Sequence, residues 1–181
     1  SRFDSRLATL QGLLDKAQAQ WAEAGKDAGA LIGCKLADDM LPLANQILFT
    51  CHQPNNFLDW ATGAAVPTEL PATLAEGAAL IAATRARLAA FDGADALLGG
   101  EKVISLPGNM GIKIDGAAYV DDWLLPNFYF HFVTAYAILR REGVAHIVLE
   151  KAASVASTWR QHYDRLHLHT VKRFSTLPRS R

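Results

Sequence analysis

With 181 residues, 50% of them hydrophobic and 20% charged, the chain has the size and composition of one globular domain able to bury a core. No apolar run approaches the roughly 18 residues that a membrane-spanning helix needs, and no membrane partner is expected. The zero net charge hides a division: residues 1–150 carry 11 basic against 17 acidic side chains, a balance of −6, whereas residues 151–181 carry 7 against 1, a balance of +6.

In chain order, Phe3, Leu7, Leu10, Leu14, Ala17 and Trp21 recur at three and four, which places them on one face of a helix. Asp4 or Ser5 can cap its start and Gly25 can end it. After an Ala-rich connection, Asp38 or Asp39 can cap a second helix, with Pro42 in a first turn, where its missing N–H has no intrahelical partner anyway. Leu43, Ile47, Thr50 and Cys51 form its core stripe. Pro54 is expected to kink or end this helix near His52, leaving residues 55–60 as a distorted continuation. Cys34 and Cys51 have neither CxxC nor metal spacing and read as buried thiols rather than a bridge.

Thr73 with Glu76 three residues later is a capping-box signature. It opens a third helix along Leu74, Ala78, Ile81, Arg85, Leu88 and Phe91, with Gly77 as its weak spot. Residues 102–106 and 111–115 alternate apolar with polar around Pro107, Gly108, Asn109 and Met110, which predicts a small β-hairpin packed on the helices. Asp115 or the Gly116 turn leads on to the last helix. There Pro126 suggests a separate turn or kinked first segment over residues 117–125, followed by the main helix.

That last stretch, residues 123–141, is the densest apolar segment. Phe128, Phe132, Ala135 and Leu139, with Tyr129, Val133 and Tyr136 one position round, give an apolar face too wide for a surface helix and predict the central one. Asn127, Tyr129, His131, Thr134 and Tyr136 set polar groups into that face, and burial would penalise each that lacked a partner. The fold class expected is all-α, an antiparallel four-helix bundle with a small β-hairpin before the last helix.

The segments Leu31-Ile-Gly-Cys-Lys-Leu-Ala-Asp-Asp-Met-Leu-Pro-Leu-Ala-Asn-Gln-Ile and Leu125-Pro-Asn-Phe-Tyr-Phe-His-Phe-Val-Thr-Ala-Tyr-Ala-Ile-Leu-Arg-Arg-Glu-Gly-Val resemble the two signature stretches of a bacterial and fungal family of unknown function. That family is allied to the DinB-like helical bundles, and the resemblance covers about residues 3–144. It implies a DinB-like bundle. Such relatives commonly hold a divalent metal through three histidines, one on the second helix and two spaced by four on the last, and some are thiol-dependent transferases or isomerases. This sequence departs from the pattern. The partner position of His131 is Ala135, the facing part of helix two offers Gln46, and His52, six residues on, is expected to point to the opposing side. A three-histidine centre is not expected, so no metal is assigned.

From Arg140 onward the sequence is similar to part of the FAD-binding region of flavin-dependent monooxygenases. In that resemblance residues 147–149 would be a second Rossmann strand and Glu150 would hold the ribose. The pyrophosphate needs a glycine turn and a helix N-terminus upstream, and the positions where they should fall hold Leu125-Pro-Asn-Phe-Tyr-Phe-His, without a glycine. No FAD and no other cofactor is therefore expected. The two resemblances meet near residues 140–144, which implies two domains: a bundle over residues 1–144 and a basic extension over 145–181.

The tail histidines, His146, His162, His167 and His169, match no zinc spacing. Its basic residues, with Trp159, Tyr163 and Phe174 interleaved, lack a nucleic-acid fold signature, so nucleic acid is not an expected partner. Asp38 and Asp39 read as caps before they read as paired catalytic carboxylates, and Cys51 beside His52 makes no dyad. The N-terminal Ser-Arg-Phe-Asp resembles neither a signal peptide nor a natural start, so the expectation is a cytoplasmic domain beginning part-way into its gene product. The function expected is binding of a small molecule, or a degenerate metal site, between helices two and four, with Asp39, Gln46, Asn127, Tyr129 and His131 as candidate residues. The alternative is a non-catalytic bundle acting through association, for instance as a homodimer.

Overall fold

Phe3, Leu7, Leu10, Leu14 and Ala17 are buried along one side of α1 (Arg2–Glu23), as their spacing predicts. The computed structural model describes residues 2–93, 98–106, 108 and 110–145. The strand expected at residues 147–149, Glu150 and the tail's histidine, basic and aromatic residues lie outside the described residues, as do Pro107 and Asn109 of the hairpin turn. Backbone contacts divide the chain into Ser1–Ala145 and His146–Arg181, and the fold below is that of the first unit.

Helix α1 ends as Gly25 predicts: at φ 67° it lets Lys26 N–H reach the Trp21 carbonyl (2.8 Å) and its own N–H reach Ala22 (3.0 Å), the double closure of a left-handed glycine stop. The start differs from expectation. The helix already runs at Arg2, so Ser5 donates back to the Arg2 carbonyl and Asp4 pairs with Arg85 on another helix at 2.8 Å instead of capping.

A short 3-10 helix (Ala28–Gly33), capped by Asp27, leads to α2 (Leu43–Thr62). Neither Asp38 nor Asp39 caps α2. Pro42 is its N-cap residue, and the Leu43 N–H is satisfied by the Cys34 carbonyl at 2.9 Å. Pro54 does not end the helix either, which continues to Thr62. The residues beyond Pro54 are held by packing: Asn55, Phe57 and Leu58 are all buried. Tertiary burial outweighs one missing N–H.

Helix α3 (Leu74–Ala90) starts on the predicted cap, with the Thr73 hydroxyl accepting from the Glu76 N–H at 3.1 Å. The Glu76 carboxylate reaches back one residue further than a standard capping box, to the Ala72 N–H at 2.8 Å. Its core stripe is Leu74, Gly77, Ile81 and Thr84, so Gly77 is a contact position. Strands β1 (Glu101–Leu106) and β2 (Met110–Asp115) form the antiparallel hairpin, with Ile104 opposite Ile112 and Lys102 opposite Ile114. Ile104 and Ile114 pack on the core, while Met110 and Ile112, toward the tip, are exposed.

Asp115 caps the next turn, accepting from the Ala118 N–H at 2.9 Å. The chain then takes a π-helical register over Tyr119–Leu124 before α4 (Leu125–Arg141). Pro126 has no N–H to continue the α register backwards, and the wider register absorbs that gap, as the expected separate first segment. Among the described residues no helix is long and apolar enough to cross a membrane.

Side-chain contacts fix the helix directions. Asp4 meets Arg85, so α1 and α3 are antiparallel, while Phe3 against Phe128 and Trp21 Nε1 on the Glu142 carbonyl make α1 and α4 parallel. Gln46 meets His131 and Trp60 meets Tyr119, so α2 opposes α4. Gly77 lies at Ile47 and Thr84 at Asn55, so α2 and α3 run the same way. The bundle is up, down, down, up. The connection of residues 63–73 must therefore travel back along α2, and His52 holds it there through the Pro67 carbonyl at 2.7 Å.

Candidate functional site

Gln46 lies in the first turns of α2 and is 3% exposed, so both ends of its amide need partners. Its Nε2 donates to the Leu41 carbonyl at 3.1 Å, which turns Oε1 toward α4, where His131 Nδ1 lies 2.9 Å away. An amide oxygen only accepts, so this network puts the proton on Nδ1 and the lone pair on Nε2. The imidazole is held in one tautomer by a neutral partner.

His131 is half-buried, with the Phe49 and Phe130 rings each 5.0 Å from its own. Burial, and secondly the charge that His52 would carry, push its pKa below the usual histidine value. His52 is lowered too, by burial, against an opposing hydrogen bond to the Pro67 carbonyl. The expectation that His52 points to the opposing side of α2 is corrected here. About 600° of rotation separates it from Gln46, which leaves the two about 120° apart. Phe49 fills that interval, its ring 5.5 Å from His52 and 5.0 Å from His131.

Of the expected residues, the structure joins Gln46 and His131. Asn127 lies one turn before His131 on the same face, its Nδ2 donating to the Trp123 carbonyl at 2.7 Å. Tyr129, 37% exposed, lies about 200° round α4 from His131, its ring edge against Phe128. Asp39 is exposed in the turn before α2. The apolar face expected of α4 is narrower than its sequence suggests: Phe128, Ala135 and Leu139 are buried, while Tyr129 and Val133 are 37% and 52% exposed.

Gln53 was not among the expected residues. It is seven positions beyond Gln46 and so returns to the same face of α2. Its Nε2 donates to the Phe49 carbonyl at 3.2 Å, and its buried Oε1 has no partner among the described residues. Two glutamines seven apart in an apolar helix were the available signal. The other buried polar network lies between α2 and α3: Asn55 Nδ2 donates to the Cys51 carbonyl (2.8 Å) and Thr84 Oγ1 (3.0 Å), and Arg87 donates to Asn55 Oδ1.

A three-histidine metal centre does not fit these side chains. Ala135 stands where a second α4 histidine would, Gln46 offers an amide already committed to His131, and His52 uses Nε2 on Pro67. Among the described residues no three His, Cys, Asp or Glu side chains gather as a metal set. Three described clefts, of about 510, 390 and 210 Å³, are lined by none of the five expected residues. The largest lies between the returning connection, at Pro67 and Leu70, and Leu80 of α3.

An up-down-down-up bundle with a hairpin before its last helix and a polar seam between α2 and α4 defines a DinB-like protein. The crystal structure of a DinB family member from Shewanella denitrificans superposes with a TM-score of 0.71 at 31% identity, over 80% of this chain and 84% of that one. The family described as "Domain of unknown function (DUF1993)" matches residues 1–147, and the chain belongs to it.

A second similarity is short. The indole-3-pyruvate monooxygenase YUCCA4 of Oryza sativa subsp. japonica is 51% identical over 47 residues, which is 25% of this chain and 11% of that enzyme. The probable indole-3-pyruvate monooxygenase YUCCA3 of Arabidopsis thaliana is 54% identical over 41 residues, 22% of this chain and 9% of that enzyme. The chain spans about a tenth of the length of these curated relatives.

Proposed function

We propose that this protein binds a small molecule in the seam between α2 and α4, at His131. The observation that carries this reading is the orientation of the imidazole. Gln46, fixed by the Leu41 carbonyl, occupies Nδ1, so Nε2 is left as a prepared acceptor beside the Phe49 and Phe130 rings. Burial requires a partner for one ring nitrogen, and Gln46 supplies it in a way that leaves the other free to accept. The chemistry suits a flat, donor-bearing molecule.

The test is a titration with phenol, the simplest such probe, followed by NMR of the His131 ring. The ring resonances should shift, and His131→Phe, which keeps the ring volume, should abolish binding while the melting temperature stays level or rises. A ring that ignores phenol, or an H131F variant that binds as before, overturns the reading.

A second reading, association of two copies through α4, is favoured by the exposed Tyr129, Phe130 and Val133. Sedimentation of the wild type against Phe130→Ser decides it: a dimer that dissociates in the variant supports it, and a monomeric wild type ends it. The unpaired Cys34 and Cys51 suit a reducing, cytoplasmic setting. We read residues 145–181 as an appended segment of separate origin, which the end of the family match at residue 147 supports.

A further inference from the structure

Helix α4 leaves one apolar stripe uncovered. At about 100° per residue, Pro126, Val133 and Ala137 lie within about 60° of Phe130, which is 59% exposed, and Tyr129 borders them. Phe128, Ala135 and Leu139 are buried on the opposite side of the helix. No charged residue occurs from Trp123 to Leu139, so the stripe meets charge only at its ends. Those charges are Asp122, about two turns before Phe130 in the π-helical segment, and Arg140, about two turns beyond Val133, a spacing that keeps both on the stripe's side. Both are exposed, and neither has an ion pair among the described residues, whereas neighbouring Arg141 donates to the Lys35 and Leu36 carbonyls.

The stripe and its charges share a centre. Asp122 lies nine residues before His131 and Arg140 nine after it, about 13 Å each way. Phe130 and Val133, and likewise Pro126 and Ala137, straddle a point half a residue further on. A second α4 laid antiparallel on this stripe about a two-fold axis therefore meets its own complement. Phe130 packs against the partner subunit's Val133, Pro126 against the partner subunit's Ala137, and Asp122 faces the partner subunit's Arg140, with every contact made twice. A parallel copy would instead set like charges together. The helix dipole alone favours acids early and bases late, but it asks for neither on the apolar stripe nor at equal distances from its middle.

We infer that this stripe is an isologous interface with a second copy of the chain, two α4 helices packing antiparallel about a two-fold axis at the level of His131, with Asp122 and Arg140 paired across it. This deepens the association reading above and rests on it, adding a direction, a register and a charge code. One helix face offers less area than the roughly 800 Å² per partner of a standard interface, so the dimer is reversible in the micromolar range.

The test is sedimentation equilibrium of the full chain across micromolar concentrations at low salt. Asp122→Arg and Arg140→Asp each create two like-charge contacts and should each weaken the dimer at least about tenfold. The Asp122→Arg, Arg140→Asp double variant only exchanges the charges and should return to within about threefold of the wild type. An equimolar mixture of the two single variants should form heterodimers that neither forms alone. High salt should shrink all of these differences. Circular dichroism checks folding, and if one single variant does not fold, the other is compared with the double.

Reversals that leave the dimer intact while Phe130→Ser dissociates it overturn the register and leave association through α4 standing. Reversals that dissociate it without rescue in the double variant or the mixture overturn the antiparallel pairing. A wild type that stays monomeric at every concentration sinks both.

Discussion

A methyl group added at Gly77 would lie 3.2 Å from Ile47 Cδ1, so α2 and α3 approach at that point about as closely as a missing side chain allows. Read from sequence as a weak spot in a helix, Gly77 is instead where two parallel helices touch. Gly77→Ala should gain about 1 kcal/mol of helix propensity and lose a comparable amount to the contact, since Cδ1 is a flexible end that can yield. The expected net change in urea denaturation is within about 1 kcal/mol. Gly77→Val should cost about 1 to 3 kcal/mol. Ile47→Val combined with Gly77→Ala should cost less than the sum of the two single changes.

The two lowered histidines set an acid limb on stability. His131 and His52 are both depressed chiefly by burial, so between the folded and unfolded pKa values the unfolded chain binds more protons. Their contribution is complete above the unfolded histidine value of about 6.5 and is lost as pH falls through the depressed folded values. The urea midpoint should therefore be flat above about pH 7 and decline below about pH 6.5. His131→Phe should make that decline shallower, and a slope unchanged in the variant would show that His131 does not contribute to it.

Asn55 is fully buried and ties α2 to α3 through Thr84 and Arg87. Asn55→Leu keeps the branched shape but leaves Thr84 Oγ1 without its donor and Arg87 without its acceptor, and should cost about 2 to 4 kcal/mol in chemical denaturation. Thr84→Val removes one arm of the same network. If the network acts as a unit, the double variant should lose less than the sum of the singles.

Thr73→Ala should cost about 1 kcal/mol by removing the acceptor of the Glu76 N–H. Thr73→Asn should restore most of it, and equal melting temperatures for all three proteins would show that the cap contributes nothing measurable.

Much of this fold is legible in the sequence because local rules decide it. The α1 stripe, the Gly25 stop, the Thr73 cap, the hairpin and the segment before Pro126 each follow from a spacing or a backbone constraint that no distant residue overrides. The misreadings fall where tertiary packing wins. Pro54 signals a helix end, yet buried Asn55, Phe57 and Leu58 hold the helix past it. Asp4 signals a cap, and Arg85 from another helix claims it.

At the candidate site, His131 and Gln46 were recognisable as polar residues on apolar faces, and the structure joins them. His52 is misplaced by the sequence reading because about 600° of rotation leaves it about 120° from Gln46 and not opposite it, and Phe49 in that interval meets both histidine rings. Gln53 is signalled in the sequence only by its spacing of seven from Gln46, and its burial and orphaned oxygen come from the structure alone.

The helix directions also govern the order in which this chain can fold. Helix α1 makes its main contacts with α3 and α4 and lies diagonally across from α2, the next helix to be synthesised. During translation its apolar stripe emerges with only the short 3-10 helix at Ala28–Gly33 as a native neighbour until α3 begins at Leu74, and Phe3 meets Phe128 only when almost all of the described chain has been made. An N-terminal helix that must wait for the last one stays exposed to chaperones and to other nascent chains. The α2–α3 pair, local in sequence and laid side by side, is free to assemble first.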